Sequence, residues 1–274
     1  MQDRPSVVRR LRIGAVAVLV ALAAGCATPP PSGDPEALAA YEEANDPLEP
    51  LNRYVFEVNR GLDMLVVRPA AEVYRGLIPE VARDSVRNFL DNLSAPVVLV
   101  NDLLQGEVDR AGQTFGRFLA NTFIGVGGLF DVVPDIEHHD EDFGQTLAVW
   151  GAPEGPYLVL PLLGPSPLRD TIGLVPDFYI DPVSLYAGNT DRRWIRTARF
   201  ALDGIDTRSR NIESLDDIER TSIDFYATVR SLYRQRRADE IRNGRPGPSA
   251  PLLDISTDFE EDDGEDKVSV TARS

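Results

Sequence analysis

The chain has 274 residues, 28 Lys+Arg against 44 Asp+Glu, 43% hydrophobic side chains, two His and one Cys. One or two domains fit that length, and so large an apolar fraction excludes a wholly disordered protein. A net charge of -16 argues against a nucleic-acid partner, and a lone Cys excludes an internal disulfide and every cysteine-based zinc, haem or iron–sulfur framework.

Arg9, Arg10 and Arg12 precede an apolar run from Ile13 to Ala24, which Gly25-Cys26 closes. The charge order and length are those of a signal peptide over residues 1–25, too short for a permanent helix across a ~30 Å hydrocarbon core. A small residue before the only Cys resembles a bacterial lipobox, so cleavage ahead of Cys26 and acylation of its thiol are expected. The usual Leu three places before the cysteine is Ala23, and Arg9-Arg10 leaves a twin-arginine export route open. Ala27, not Asp, follows Cys26, which in lipoprotein sorting implies the outer membrane. Residues 26–46, rich in Pro, Ala and Glu, suit a tether.

A folded body is expected over 47–243. Leu51, Val55, Val58, Leu62 and Leu65 mark one apolar helix face that Arg68-Pro69 breaks. A second helix follows Pro79 with Val86, Phe89, Leu90 and Leu93, and Pro96 opens a third that is apolar nearly all round. Val108, Ala111, Phe115, Phe118, Leu119 and Thr122 mark a fourth, which runs into Gly125, Gly127 and Gly128. Thirteen uncharged residues, Phe118 to Phe130, would span only about 20 Å as a helix. They fit a buried hairpin in a soluble core, which the composition favours, or a re-entrant hairpin dipping into lipid.

From Phe143 to Leu168 there is one charge, Glu154, and five prolines, which forbid a regular helix. Trp150, Tyr157, Phe178, Tyr179 and Tyr186 in or just after this stretch add weight to membrane contact, since Trp and Tyr favour the membrane–water boundary. Amphipathic helices return around Trp194 to Leu202 and from Asp216 to about Arg242. In the latter, Arg230, Arg234, Arg236 and Arg237 read as a solvated face, with anionic headgroups as the second reading. Only Tyr157 to Leu160 suggests a strand, so the body is predicted all-α. Residues 244–274 form an acidic tail expected to be disordered.

Chemistry finds no seat. His138 and His139 lie among six acidic residues from Asp131 to Asp142, yet they are adjacent and lack the i, i+4 spacing of paired metal ligands, so a solvated polar loop is expected. There is no Gly-x-Ser-x-Gly elbow, and Lys267 is the only lysine, which removes a Walker loop, a Schiff base and a Ser-Lys dyad. No enzyme activity, cofactor or metal is expected.

The segments Asn45 to Arg53, Arg68-Pro69, Asn88 to Leu93 with Pro96, Val100-Asn101, Leu104 to Gly106, Asn121-Thr122 with Gly125 to Asp131, Phe143 to Leu147, Gly155 to Tyr157 and Leu168 to Asp170 are collinear. Together they resemble the VacJ/MlaA family of outer-membrane lipoproteins over residues 45 to 242. The resemblance implies a helical ring in the inner leaflet of the outer membrane around an amphipathic central channel. It implies removal of misplaced phospholipids from the outer leaflet, transfer to a periplasmic phospholipid-binding protein of the Mla system, and association with a trimeric porin. A channel wall would then be the hairpin of Phe118, Asn121, Thr122, Phe123, Ile124, Gly125, Gly127, Gly128, Leu129, Phe130 and Asp131. Asn121, Thr122 and Asp131 would lie on the headgroup side, with the glycines as a turn or hinge. A structural lipoprotein that scaffolds porins or envelope contacts is the alternative.

Overall fold

A computed structural model describes Tyr41 and residues 44–245. The signal peptide, Cys26, nearly all of the tether and the tail beyond Arg245 lie outside the described residues.

The chain enters at Asp46, ahead of helix α1 (Glu49–Leu62). The break expected at Arg68-Pro69 does not occur. A π-turn (Asp63–Val67) leads straight into α2 (Arg68–Leu77), with Pro69 in its first turn. The widened turn absorbs a proline that has no N–H to donate and whose ring crowds the preceding carbonyls. The two helices expected on either side of Pro96 are one, α3 (Glu80–Gln105). Pro96 leaves the Asn92 carbonyl without its helical donor, and the chain carries on around it. Gly106, at φ 81°, ends α3 and turns the chain into α4 (Val108–Phe123), which packs against it.

After the glycine hairpin comes α5 (Phe143–Val149), which breaks the stretch expected to be irregular. Its cap is Asp142, whose carboxylate accepts from the Gln145 amide at 2.9 Å. The proline-rich segment beyond it holds a two-residue antiparallel ladder, β1 (Val159–Leu160) against β2 (Gly164–Pro165). Then follow α6 (Leu168–Ile180), α7 (Pro182–Asn189), α8 (Trp194–Arg210), α9 (Ile212–Thr221) and α10 (Phe225–Ile241). The long C-terminal helix expected from Asp216 to Arg242 is thus two, α9 and α10. The fold is all-α, as predicted. No described helix is long and apolar enough to cross a membrane.

Polar groups occupy the interior. Asp46, Asn52, Asn101, Asp102, Gln145, Thr146 and Asp206 are buried, whereas Leu65 is 79% exposed, Phe123 80% and Leu77 75%. The apolar core is small: Phe56, Tyr157, Val159 and Tyr226, with Phe56 edge-on to Phe225 and Tyr226 at 5.4 Å. Around it, Asp46 ties the two ends of the fold together. It accepts from Asn52 at 2.7 Å, from Arg230 at 2.7 Å and from the Tyr226 hydroxyl. Arg53 reinforces the joint by pairing with Asp224 at 2.6 Å and lying 4.4 Å over the Tyr226 ring.

The arginine run of α10 is therefore not the solvated face expected. Arg230 serves Asp46, Arg234 pairs with Glu154 at 3.1 Å, and Arg237 sits between Asp142 at 2.6 Å and Asp170 at 3.0 Å. Only Arg236, 76% exposed, fits that description. Buried carboxylates need a counter-charge, and α10 supplies it. Gly144 makes the approach possible, because a Cβ there would lie 2.7 Å from Asp170 Oδ1 and 2.8 Å from Arg237 Nη2.

Arg237→Ala leaves buried Asp170 with Arg169 and Tyr233 alone and the partly exposed Asp142 with only its cap bond, and should lower stability by about 1–3 kcal/mol. Arg236→Ala should be nearly silent. Denaturant unfolding of both variants in one detergent checks the contrast.

Candidate functional site

Two adjoining cavities meet along α8. The larger, ≈ 770 Å³, is walled by Leu62, Val66 and Val67 around the π-turn, Ala70 of α2, Leu162 and Leu163 at the tip between the two strands, and Ile205 and Leu215. Asn59, Asp63 and Arg208 are the polar members that it does not share with its neighbour. The smaller, ≈ 500 Å³, is polar: Arg87, Asp91 and Ser94 from α3, Asp140, Asp181 and Ser184 at the start of α7, and Arg196 and Arg199 of α8. Phe200, Asp203, Thr207, Asn211 and Arg236 line both. Four of these five recur at helical spacing on and just beyond α8, so one face of that helix runs through both cavities.

Local hydrogen bonds hold the walls in place. Leu162 at the strand tip has φ 67°, and Asn59 clamps the tip by donating to Leu160 O at 2.9 Å and accepting from Leu162 N at 2.9 Å. Arg208 reaches Asp63 of the π-turn at 2.9 Å. Arg87 meets Asp203 at 3.3 Å and Arg199 meets Asp181 at 2.9 Å, so charges lining the polar cavity are mostly paired across it. Burial pushes the Asp91 and Asp203 carboxyls up from their usual range. A pair of cavities with a greasy wall and a hydrogen-bonding stripe suits a molecule with both characters.

The hairpin predicted as a wall stands apart from both cavities, neither of which takes a lining residue from 118–131. It is a tight turn closed by Gly127 N to Thr122 O at 2.9 Å, Gly128 N to Asn121 O at 2.8 Å and Phe130 N to Gly125 O at 2.9 Å. Phe123, Ile124, Leu129 and Phe130 face outward, so the reading of a hairpin buried in a soluble core does not hold. Asn121 is buried, donates to Asp131 at 3.2 Å and accepts from Val132 N at 2.9 Å, while Arg117 holds Asp131 at 3.0 Å. Thr122 accepts from the Asn92 amide at 3.0 Å. A Cβ on Gly128 would lie 2.4 Å from that of Asn92, and one on Gly125 2.1 Å from Phe130 O, whereas Gly127, at φ 73°, faces open space. Phe118 and Asn121 line a cleft of ≈ 20 Å³ beside Asp91, with room for about one water. Asp91 also lines the polar cavity, which makes the base of the hairpin its neighbour.

The family model for "MlaA lipoprotein" matches residues 44–240. The chain belongs to the MlaA lipoprotein family. Proteins named "Intermembrane phospholipid transport system lipoprotein MlaA" in Shigella flexneri and in Escherichia coli (strain K12) are each 35% identical to it over 93% of this chain and 100% of theirs. A Haemophilus influenzae protein of the same name is 29% identical over 74% of this chain and 82% of its own. A solved structure described as "Structural basis for maintenance of bacterial outer membrane lipid asymmetry" superposes with a TM-score of 0.64 at 36% identity, covering 72% of this chain and 98% of that one.

For this MlaA lipoprotein family member, the sequence reading missed the cavity-lining side chains of α8. Their signal was the polar series Arg196, Asp203, Thr207 and Asn211, with Phe200 in register, which an isolated helix presents as an ordinary wet face. The histidine loop also differs from expectation. His139 turns inward to Asp102 at 3.1 Å, which Thr114 also holds at 2.8 Å, and buried Glu141 takes Arg110 at 2.9 Å and Gln105 at 2.8 Å. His138 diverges to Asp140 at 3.1 Å. No described group of His, Cys, Asp and Glu gathers as a metal would need.

The Asp140 bond, helped by Asp91, raises the His138 pKa, and His138 in turn lowers that of Asp140. A raised folded-state value contributes stability that is complete below the unfolded value near ~6.5 and is lost as pH rises through the folded one. The stability of wild type relative to His138→Gln should therefore fall as pH rises past about 6.5, as followed by thermal unfolding in a pH series.

Proposed function

We propose that this protein is an outer-membrane lipoprotein, acylated on Cys26, that takes mislocalised phospholipids from the outer leaflet through its lumen and passes them to a periplasmic lipid-binding protein. The observation that carries this reading is the amphipathic lumen along α8 inside a body whose apolar side chains face outward. Acyl chains fit the Leu62, Val66, Leu162 and Leu163 wall, and a headgroup fits the stripe of Asp203, Thr207 and Asn211. Transfer of this kind breaks no covalent bond. The names of the relatives point the same way.

The outward Leu65, Val73, Leu77, Phe123, Ile124 and Phe130 suit burial in the inner leaflet of the outer membrane, with the body entered from the periplasmic side. All backbone polar groups of a helix are satisfied within it, so such a body tolerates lipid around it. The same surface offers an apolar flank to a trimeric porin. Residues 1–25 serve as the signal peptide, 26–46 as the tether, 47–243 as the lipid-handling domain and 244–274 as an acidic tail. The hairpin from Phe118 to Asp131, tied to Asn92 beside the polar cavity, is the flank whose movement would change access, with Gly127 its one open glycine.

Gly204 lines the lumen, and a Cβ there meets nothing within 4 Å. Gly204→Leu should stabilise α8 by about 0.5–1 kcal/mol and yet obstruct the lumen. In cells lacking the protein, a surface-restricted lipid modification assay should show outer-leaflet phospholipid accumulating. Wild type should correct it, while Gly204→Leu and Gly127→Leu at matched levels should not. Full correction by both variants would remove the transfer reading, and no accumulation in the deletion strain, with an equivalent activity excluded, would favour a scaffold.

A further inference from the structure

The polar cavity holds four arginines, and three are neutralised. Arg87 meets Asp203 at 3.3 Å and Asp91 at 3.7 Å, Arg199 meets Asp181 at 2.9 Å, and Arg236 meets Glu240 at 2.7 Å. Among the described residues no carboxylate reaches Arg196, whose guanidinium lies 4.9 Å from the centre of the Phe178 ring. Arg196 is half-buried in the first turn of α8, one turn before Phe200, where the two cavities join.

A guanidinium placed over an aromatic face is held in plane while the N–H groups along its edge stay available. Those donors match an anion with two oxygens in one plane, which a phosphodiester presents and to which arginine binds in bidentate fashion. Asp91, Asp140, Asp181 and Asp203 line the same cavity, so a single negative charge is accommodated there more easily than the double charge of a phosphate monoester. The apolar cavity begins beside Phe200 and Asp203, on the side where the chains of a bound amphiphile would run.

We infer that Arg196 receives the phosphodiester of an amphiphile whose acyl chains occupy the neighbouring apolar cavity, an inference that rests on the lumen reading above. Its stacking on Phe178 orients the guanidinium, and the stripe of Asp203, Thr207 and Asn211 carries the rest of the headgroup past it.

The test uses the full purified chain in detergent, titrated with a fluorescent-acyl phosphatidylethanolamine and with the matched diacylglycerol, which lacks the phosphate. Arg196→Gln should weaken phospholipid binding on the order of tenfold and leave diacylglycerol binding unchanged. Arg196→Lys should recover part of the loss, and Arg193→Gln, an exposed neighbour, should behave as wild type. Glycerophosphoethanolamine at millimolar concentration should not displace the lipid. Equal phospholipid affinity in wild type and Arg196→Gln overturns the assignment, as does an equal loss for both ligands, which would mean a packing role. Displacement by the soluble phosphodiester would move the ligand from lipid to solute. If wild type binds neither lipid, the lumen reading itself fails, an outcome distinct from loss of phosphate selectivity alone.

Discussion

Placing ionised groups inside the molecule is the constraint from which the rest of the structure follows. Buried charges are costly unless paired, and here Arg237 spans Asp142 and Asp170 while Arg230, Asn52 and Tyr226 surround Asp46. Filling the interior with carboxylates, amides and guanidinia leaves most large apolar side chains outside. Helices are the element that permits this, because each satisfies its own backbone and needs no water at its flank.

The two cavities along α8 are a by-product of the same inversion. In an ordinary bundle the inner faces would be leucine and would close on one another. Here the residues of α8 that line the two cavities are mostly polar, and polar faces keep a wet or ligand-filled space open more readily than they collapse it. Much of the apolar wall comes from features that are not regular helix, the π-turn before Pro69 and the strand tip at Leu162 and Leu163, to which the helices add Leu62, Ala70, Ile205 and Leu215. Both break the helical repeat, and so both can present apolar groups to a space that the helices line with polar ones.

Helix content and much of the helix order were legible in the sequence because apolar periodicity survives whichever side is wet. Burial was not legible for the same reason. The face of Leu51, Val55, Val58 and Leu62 reads identically whether it meets a core or lipid, and Val58 and Leu62 prove to be exposed. Proline was over-read at Pro69 and Pro96, since a π-turn at the one and a long helix at the other absorb the missing donor. The arginines of α10 looked solvated because their partners, Asp46, Asp142, Glu154 and Asp170, lie 67 to 184 residues away. Long-range pairing leaves no local trace. The family-like segments carried more than any periodicity: Asn45 to Arg53 and Phe143 to Leu147 turn out to contain Asp46, Asn52, Gly144 and Thr146, each fixed by contacts that few other residues would permit.

The Asp46 joint also has a mechanical meaning. Any pull delivered through the N-terminal end of the chain reaches the folded body at Asn45 and Asp46, where Asn45 holds Gly155 O at 2.6 Å and Asp46 holds α1 and α10 together. The load is shared at once between the first helix, the last helix and the central strap at Tyr157, whose N–H donates to Asn45 O at 2.9 Å. Several charge-assisted bonds would have to rupture together before α1 could unravel. The point where such tension would enter is thus among the most firmly bonded places in the fold, so the body would respond to it as a unit.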